Sequence, residues 1–188
     1  MAEHTRPPRI YTGTGDGGTT GLLYGGRVRK DDPAIEANGA VDEAQAVIGL
    51  VRAEAERGSP LDELCVHVER GLYVLMSELA TLPENRHKLS DDVTLVTAAM
   101  VADLERRADD LGNHYTMPSE FVIPGENRVA ALCDVARTVV RRAERLALGV
   151  AAEGSQVIPY LNRLSSLLWA MARWQEGGHA LMSRTKER

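Results

Sequence analysis

A run of ten residues near the start of the chain, residues 12–21, contains no apolar side chain and is the stretch best suited to binding an anion. Five of the ten are Gly, which allow positive φ and close backbone approach, and four are Thr, whose hydroxyls can donate to phosphate oxygens. Asp16 is the single carboxylate, and it suits a nearby cation better than bare phosphates. This composition excludes a core position, and we expect neither an ordinary helix nor an ordinary strand here.

Two common phosphate-binding motifs do not fit this run. Gly13-x-Gly15-x-x-Gly18 formally matches a dinucleotide fingerprint, but that motif opens a helix, and the residues that follow are no helix start. A P-loop would need a Gly-Lys-Ser/Thr ending, whereas the next Lys is Lys30. A disordered Gly/Thr-rich leader is the open alternative.

A second concentration of charge lies in the fourth predicted helix. At about 100° per residue, Arg137, Arg141 and Glu144 share one narrow stripe beside the apolar face, and Arg145 is adjacent to it. Arg is suited to bidentate contact with phosphate, and a Glu among arginines can orient them or bind a cation. The alternative is a solvated face of i,i+3 and i,i+4 ion pairs, which applies most to Arg142 because it points elsewhere.

Three further side chains lie in settings that are unusual for their type. Asp42, beside Val41, either faces a neighbouring helix with an Arg partner or is an exposed acid. Asn162, beside Leu161, either reads a base edge or a ribose, or bridges helices. Phe121 is the only Phe of the chain and lies in a predicted loop, where it either covers the core or walls a cofactor pocket.

Metal and nucleophile signals are weak. Glu84-x-x-His87 has the spacing used in di-iron bundles, but it occurs once, and such sites need a second copy and two further Glu. No Cys/His cluster has zinc spacing, and no Ser elbow is present. Cys65 and Cys133 each fall in an apolar helical pattern, which favours reduced core thiols over a disulfide or a ligand pair.

The elements that must position these residues are predicted to be helices. The 188 residues have the length of one domain and a globular composition, with 44% hydrophobic, 26% charged and 4% aromatic residues. Apolar residues recur at helical spacing in five stretches, which predicts an all-α five-helix bundle. The predicted helices cover about residues 37–55, 61–82, 91–111, 129–150 and 155–172.

The predicted domain spans residues 9–176, between a flexible N-terminus at 1–8 and a polar tail at 177–188 that we expect to be frayed. The net charge of −5 argues against nucleic acid as a main partner. No apolar run reaches transmembrane length, and the first residues lack the apolar stretch of a signal peptide. We therefore expect a cytoplasmic protein with no membrane partner.

Six segments, taken together, resemble those of one known family. They are residues 10–21, 27–31, 36–43, 121–125, 136–145 and 160–168, and they cover the chain from about 9 to about 174. No single segment is decisive, but their joint order is highly specific. On these segments the chain resembles the PduO-type ATP:cob(I)alamin adenosyltransferases, whose members are homotrimers of five-helix subunits with active sites between subunits.

The resemblance implies that ATP is the co-substrate, with Mg²⁺, and that the Gly/Thr segment lies over its triphosphate. The implied cradle is formed by Thr12, Gly13, Thr14, Gly15, Gly18 and Thr19, followed by the phosphate-binding Lys30. The residues that match the ATP-binding helix of the family are Arg141, Arg142, Glu144 and Arg145. Asn162 matches the Asn of the family's Leu-Asn-Arg-Leu motif.

The resemblance also implies a cobalamin substrate and a catalytic group. Asp42 and Arg137 correspond to an intersubunit ion pair, and Phe121 to the aromatic that displaces the lower axial base of the corrinoid. The implied reaction transfers the 5′-deoxyadenosyl group of ATP to the cobalt of cob(I)alamin and releases triphosphate, which needs no Ser or Cys nucleophile. A flavin-dependent cobalt(II) reductase and a downstream adenosylcobalamin-dependent enzyme are the implied partners.

The chain departs from the family pattern at four positions, which are Ala44, Gln45, Glu126 and Ser166. We expect these to alter details of the corrinoid pocket more than ATP binding. The alternative from another class is a non-catalytic carrier or sensor of ATP or corrinoid with the same fold. Asp42, Phe121 and Arg137 together favour catalysis, because a mere ATP binder needs no base-displacing aromatic.

Overall fold

The computed structural model describes residues 10–184, which are mostly helical with a small two-stranded sheet. The predicted N-terminal segment 1–8 lies outside the described residues. The helices are α1 (Pro33–Glu54), α2 (Pro60–Leu79), α3 (Ala98–Gly112), α4 (Arg128–Ala147) and α5 (Val157–Glu176), and a 3₁₀ helix spans Pro83–Lys88. The strands are β1 (Thr19–Gly21) and β2 (Arg27–Arg29). None of these helices is long and apolar enough to cross a membrane.

Side-chain caps explain where four of the helices begin. Asp32 accepts a hydrogen bond from the N–H of Ala34 at the start of α1, and Ser59 accepts one from Asp62 at the start of α2. A proline follows each of these two caps, where its missing N–H is not needed. The caps of α3 and α4 are Thr97 and Asn127.

The third helix begins later than its apolar spacing predicts. Residues 91–97 were expected to be helical, but α3 starts at Ala98, because Thr97 caps the N–H of Met100. Upstream, the carbonyl of Ser90 accepts from the N–H groups of Thr94 and Leu95, which closes a turn in place of a helix. Similarly, α2 ends at Leu79 and not at the predicted Leu82, since the residue before a proline avoids helical backbone angles.

The core lies where the helices meet. Helix α1 packs against α2 and α4, and α5 packs against α3 and α4. Cys65 and Cys133 are free and buried in this core, as predicted, and burial raises the pKa of both thiols to about 12. Helices α2 and α5 approach closely at Gly71, where any Cβ would collide with the hydroxyl of Tyr160.

The all-α prediction was incomplete, because residues 19–21 form a strand. Thr19 lies opposite Arg29 and Gly21 opposite Arg27 in an antiparallel pair. Two glycines with φ of +99° and +90°, Gly25 and Gly26, make the connecting turn possible, and β-branched Thr suits a strand. The hairpin is tied to the end of α2 through a 2.9 Å hydrogen bond from the N–H of Leu23 to the carbonyl of Ala80.

The described end of the chain also differs from the frayed tail that we expected. Helix α5 ends at Gly177, which has left-handed backbone angles that turn the chain back. The N–H of Ser183 then donates to the carbonyl of Phe121 at 2.7 Å, and the N–H of Ile123 donates to the carbonyl of Leu181 at 2.8 Å. This strand-like pairing supplies hydrogen-bond partners for the main-chain groups of the 121–123 loop, which has none from a helix or sheet of its own.

Candidate active site

The Gly/Thr loop, residues 12–18, is a chain of tight turns. The N–H of Asp16 bonds to the carbonyl of Gly13 at 3.2 Å, and the N–H of Gly18 bonds to that of Gly15 at 3.1 Å. Gly13 and Gly18 have φ of +71° and +78°. Within residues 10–184, the N–H groups of Gly13, Gly15 and Gly17 donate no hydrogen bond. The loop therefore presents backbone donors of the kind that bind phosphate.

Arg27 holds this loop to the hairpin. Its Nη2 donates to the carbonyl of Thr14 at 2.8 Å and to the hydroxyl of Thr19 at 2.9 Å. The hydroxyls of Thr12 and Thr14 lie 2.8 Å apart. Sequence reasoning placed Arg27 in a family segment without a role, because its contacts depend on the unpredicted pairing of β1 with β2.

Lys30, predicted to bind phosphate, lies against the same loop. Its N–H donates to the carbonyl of Gly18 at 2.9 Å, and a Cβ on Gly15 would lie 3.1 Å from the Lys30 ammonium. A larger residue at 15 would therefore displace this ammonium. The described residues provide no acid within ion-pair distance of Lys30, so its charge lies beside the unoccupied N–H donors.

The predicted stripe is present on α4. Arg141 and Arg145 are exposed and Glu144 is half-buried, while the buried residues of this half of the helix are Ala136, Val140, Ala143 and Ala147. Glu144 accepts a 2.9 Å hydrogen bond from the amide of Asn162 on α5, and it lies 3.9 Å from the nearest nitrogen of Arg141. Asn162 thus bridges two helices, one of the two readings left open for it.

Arg142 and Asp42 have different environments from the residues of the α4 stripe. Arg142 forms an ion pair with Glu43 on α1, as the solvated-face interpretation expects. Asp42 is exposed and has no ion-pair partner among the described residues. Arg137 instead pairs with Asp134, one turn earlier on α4, at 2.9 Å. Asp42 and Arg137 therefore do not pair within one chain.

Phe121 and Arg137 line one cleft of about 660 Å³, although they come from a loop and a helix. We call it the Phe121 cleft. The side chain of Phe121 is 87% exposed at its wall, and Trp169 and Arg173 of α5 lie at its floor. The pairing with residues 181–183 fixes the backbone that carries Phe121. The cleft is thus lined by both apolar side chains and the guanidinium groups of Arg137 and Arg173.

Three buried charged residues beneath the cleft were missed by sequence reasoning. They are Asp134 on α4 and Arg173 and Glu176 on α5. Burial raises the pKa of the Glu176 carboxyl, and the neighbouring Arg173 opposes that rise. The available signal was that each falls on the apolar face of its helix, where a charge needs a partner.

No metal centre is indicated in the described part of the chain. Glu84 and His87 lie in the 3₁₀ helix, and residues 10–184 contain no group of three or more His, Cys, Asp or Glu that could hold an ion. Within the same residues, no hydrogen bond or ion pair joins the Gly/Thr loop to the α4 stripe. One chain therefore presents these two sets of groups separately.

Comparison with known proteins decides the family. A family model described as cobalamin adenosyltransferase matches residues 10–175, which include the Gly/Thr loop, the α4 stripe and Phe121. The chain belongs to the cobalamin adenosyltransferase family. The predicted family is therefore confirmed, together with the predicted activity, ATP-dependent adenosylation of a corrinoid.

Individual members of the family are similar along most of their length. The chain is 41% identical over 175 residues to a cobalamin adenosyltransferase of Cupriavidus metallidurans, covering 89% of this chain and 88% of the relative. It is 36% identical over 194 residues to a corrinoid adenosyltransferase of Mycobacterium tuberculosis, covering 95% and 97%.

Solved structures show the same fold. A variant of the PduO-type ATP:corrinoid adenosyltransferase of Lactobacillus reuteri, complexed with cobalamin and ATP, superposes with a TM-score of 0.82 at 26% identity. The superposition covers 94% of this chain and all of that one. A second variant of the same enzyme, also complexed with cobalamin and ATP, superposes with a TM-score of 0.79 at 27% identity, covering 89% and 91%.

Proposed function

We propose that this cobalamin adenosyltransferase transfers the 5′-deoxyadenosyl group of ATP to the cobalt of cob(I)alamin, forming adenosylcobalamin and releasing triphosphate. The observation that carries the proposal is the family match over residues 10–175, because it includes the Gly/Thr loop, the α4 stripe and Phe121. The reaction takes place where the loop of one chain meets the α4 stripe of another.

On the nucleotide side, the Gly/Thr loop binds the triphosphate through main-chain donors. Two observations support this assignment: the N–H groups of Gly13, Gly15 and Gly17 have no acceptor among the described residues, and the ammonium of Lys30 lies against Gly15. The residues assigned to this cradle are Thr12, Gly13, Thr14, Gly15, Gly18, Thr19 and Lys30. Mg²⁺, when bound to the triphosphate, adds further neutralisation of its charge.

The α4 stripe completes the nucleotide site. The exposed guanidinium groups of Arg141 and Arg145 suit bidentate contact with phosphate, and the hydrogen bond from Asn162 fixes the carboxylate of Glu144 near Arg141. Arg142 takes part only when its ion pair with Glu43 opens, so its contribution is smaller.

The site is shared between subunits of a homotrimer of five-helix bundles. Two observations support this arrangement: the loop and the stripe are not bonded within one chain, and Asp42 is exposed without an ion-pair partner among residues 10–184. Arg137 pairs with the partner subunit's Asp42 across the boundary. Homo-oligomers with closed symmetry commonly build sites at such boundaries.

The chemistry needs positioning and charge more than a protein nucleophile. Cobalt(I) of the substrate attacks carbon 5′ of the ribose, the cobalt–carbon bond forms, and the bond from carbon 5′ to the triphosphate oxygen breaks. Triphosphate leaves with the bonding electrons, and Lys30 and Arg141 stabilise the charge that develops on it. No Ser or Cys is required, which agrees with the inert thiols of Cys65 and Cys133.

Phe121 acts on the other substrate. Its exposed ring in the cleft occupies the lower axial side of the corrinoid and displaces the axial base, which makes the cobalt(II) precursor easier to reduce. The electron donor is a flavin-dependent reductase, and the product passes to an adenosylcobalamin-dependent enzyme. We place these steps in the cytoplasm.

The direct test mixes purified protein with ATP, Mg²⁺ and chemically reduced cobalamin and follows the absorption spectrum. Conversion of cob(I)alamin to adenosylcobalamin, with one triphosphate released per turnover, is expected, and a sample without ATP is the control. Binding of both substrates by folded protein without conversion would indicate the carrier or sensor alternative and contradict the proposal.

A further inference from the structure

Four charged side chains form a row that runs from the Phe121 cleft inward: Arg137, Asp134 and Arg173, which line the cleft, and then Glu176. We propose that Asp134 and Arg173 are positioning residues, which fix the guanidinium of Arg137 so that it meets its partner in one orientation. This inference rests on the proposed function, because it assumes that Arg137 supports the corrinoid site. It adds two residues from the buried face of the helices to that site.

The hydrogen bonds of the row are directional. Nε of Arg137 donates to one oxygen of Asp134 at 2.9 Å, and Nη2 of Arg173 donates to the other oxygen at 2.7 Å. The same Nη2 of Arg173 lies 2.7 Å from Glu176. Each oxygen of Asp134 thus serves a different arginine, so the carboxylate links the orientation of Arg137 to that of Arg173.

Burial makes one end of this row rigid and leaves the other end available. The side chains of Asp134, Arg173 and Glu176 are 7%, 3% and 1% exposed, whereas the side chain of Arg137 is 28% exposed. A buried charge that loses its partner is strongly destabilising, so the three inner residues have little freedom to exchange contacts. Their charges alternate from Arg137 inward, which leaves the row neutral overall.

Aromatic contacts hold the inner arginine in place as well. The guanidinium of Arg173 lies 5.4 Å from the centroid of the Trp169 ring, and Tyr115 packs edge-on against that ring. Arg173 is therefore fixed by two carboxylates and an aromatic face. The position of Asp134 follows from Arg173, and the position of Arg137 follows from Asp134.

This arrangement has a consequence for recognition. With Nε of Arg137 bonded to Asp134, only its two terminal nitrogens remain to face the cleft and the subunit boundary. The planar guanidinium then presents a fixed fork to the partner subunit's Asp42, and little side-chain entropy is lost when the pair forms. The row would extend to five alternating charges across the boundary.

A double-mutant cycle tests this inference. Asp134→Asn leaves one of the two arginines facing an NH₂ group, whichever way the amide turns. We expect kcat/KM for the corrinoid to fall about tenfold with KM for ATP unchanged, and to fall less than about twofold when Arg137→Ala is already present. Asp103→Asn, which alters a carboxylate paired with Arg107 away from the cleft, is the matched control and is expected to leave both constants unchanged.

Each outcome decides between a positioning role and a merely structural one. Equal losses in the wild-type and Arg137→Ala backgrounds, or no loss in the wild type, would overturn the inference. If Asp134→Asn does not fold, Asp134→Glu carries the same test, because it keeps the charge but displaces Arg137 by the length of a methylene group. We expect it to lower kcat/KM for the corrinoid about threefold, and only in the wild-type background. A folded wild-type protein without activity would contradict the proposed function instead.

Discussion

The Gly/Thr loop and the Phe121 cleft are supported in opposite ways. The loop is exposed, leaves the N–H groups of Gly13, Gly15 and Gly17 without an acceptor among the described residues, and is held by one surface arginine, Arg27. The cleft has a floor of buried ion pairs around Arg173, and hydrogen bonds with residues 181–183 fix the wall that carries Phe121. Main-chain N–H groups of the loop must be accessible if they are to donate to phosphate. An aromatic ring that displaces an axial ligand instead needs a rigid support.

This difference predicts how each region responds to substitution. Groups of the cleft act through fixed geometry, so small displacements are expected to affect turnover. In the proposed function the loop binds the triphosphate through several weak donors, so the loss of one contact that supports the loop is expected to affect mainly the affinity for ATP.

The largest effect is expected from Phe121→Ala. Without the ring, the axial base of the corrinoid is not displaced, so turnover with cobalt(II) substrate and a biological reductant should fall by about a hundredfold or more. The affinity for ATP should be unchanged, which equilibrium binding of labelled ATP would measure.

Val93→Ala is the matched control for this variant, because Val93 is another exposed apolar loop residue and does not line the cleft. It should leave turnover unaffected. Unchanged turnover in Phe121→Ala would show that the ring has no part in the mechanism. The contrast between a rigid cleft and an adaptable loop would then be contradicted.

A smaller effect is expected from Arg27→Ala. This variant removes the hydrogen bonds to Thr14 and Thr19, so the loop must be ordered when ATP binds, and KM for ATP should rise about tenfold. The affinity for the corrinoid should not change. Arg29→Ala is the control, since Arg29 lies on the same strand but pairs with Asp31. Equal effects of the two variants would show that Arg27 does not hold the loop.

The smallest effect is expected from Ser183→Pro. Proline removes the N–H that donates to the carbonyl of Phe121, and the wall of the cleft becomes looser. Turnover with cobalt(II) substrate should fall about threefold while KM for ATP is unchanged. Ser183→Ala keeps this N–H and should behave as the wild type. If Ser183→Pro turned over as fast as Ser183→Ala, the hydrogen bond from residue 183 would not support the cleft.

Local sequence patterns predicted most of the helices, but not the contacts between distant residues that hold the site in place. Helical spacing and caps such as Ser59 are properties of neighbouring residues, so α1, α2, α4 and α5 could be found in the sequence. Apolar spacing alone misplaced the start of α3, because the cap at Thr97 and the turn at Ser90 outweigh it. The pairing of Thr19 with Arg29 depends on residues ten positions apart and was missed.

The candidate site follows the same rule. Arg141 and Glu144 were found because one helix brings them together. Asp134 and Arg173 come from different helices, 39 positions apart. Each falls on the apolar face of its own helix, but only the fold shows that they are hydrogen-bonded to one another.

The central claim is that the active site is shared between subunits, and co-expression of two variants tests it directly. Asp42→Ala and Arg137→Ala should each lower turnover about tenfold. When equal amounts of the two chains assemble at random into trimers, about a quarter of all the boundaries in the sample join an intact Asp42 to an intact Arg137. Turnover of the mixture should therefore rise from about a tenth to about a third of the wild-type value. Turnover that stays at the level of the single variants, in trimers shown to contain both chains, would contradict the account.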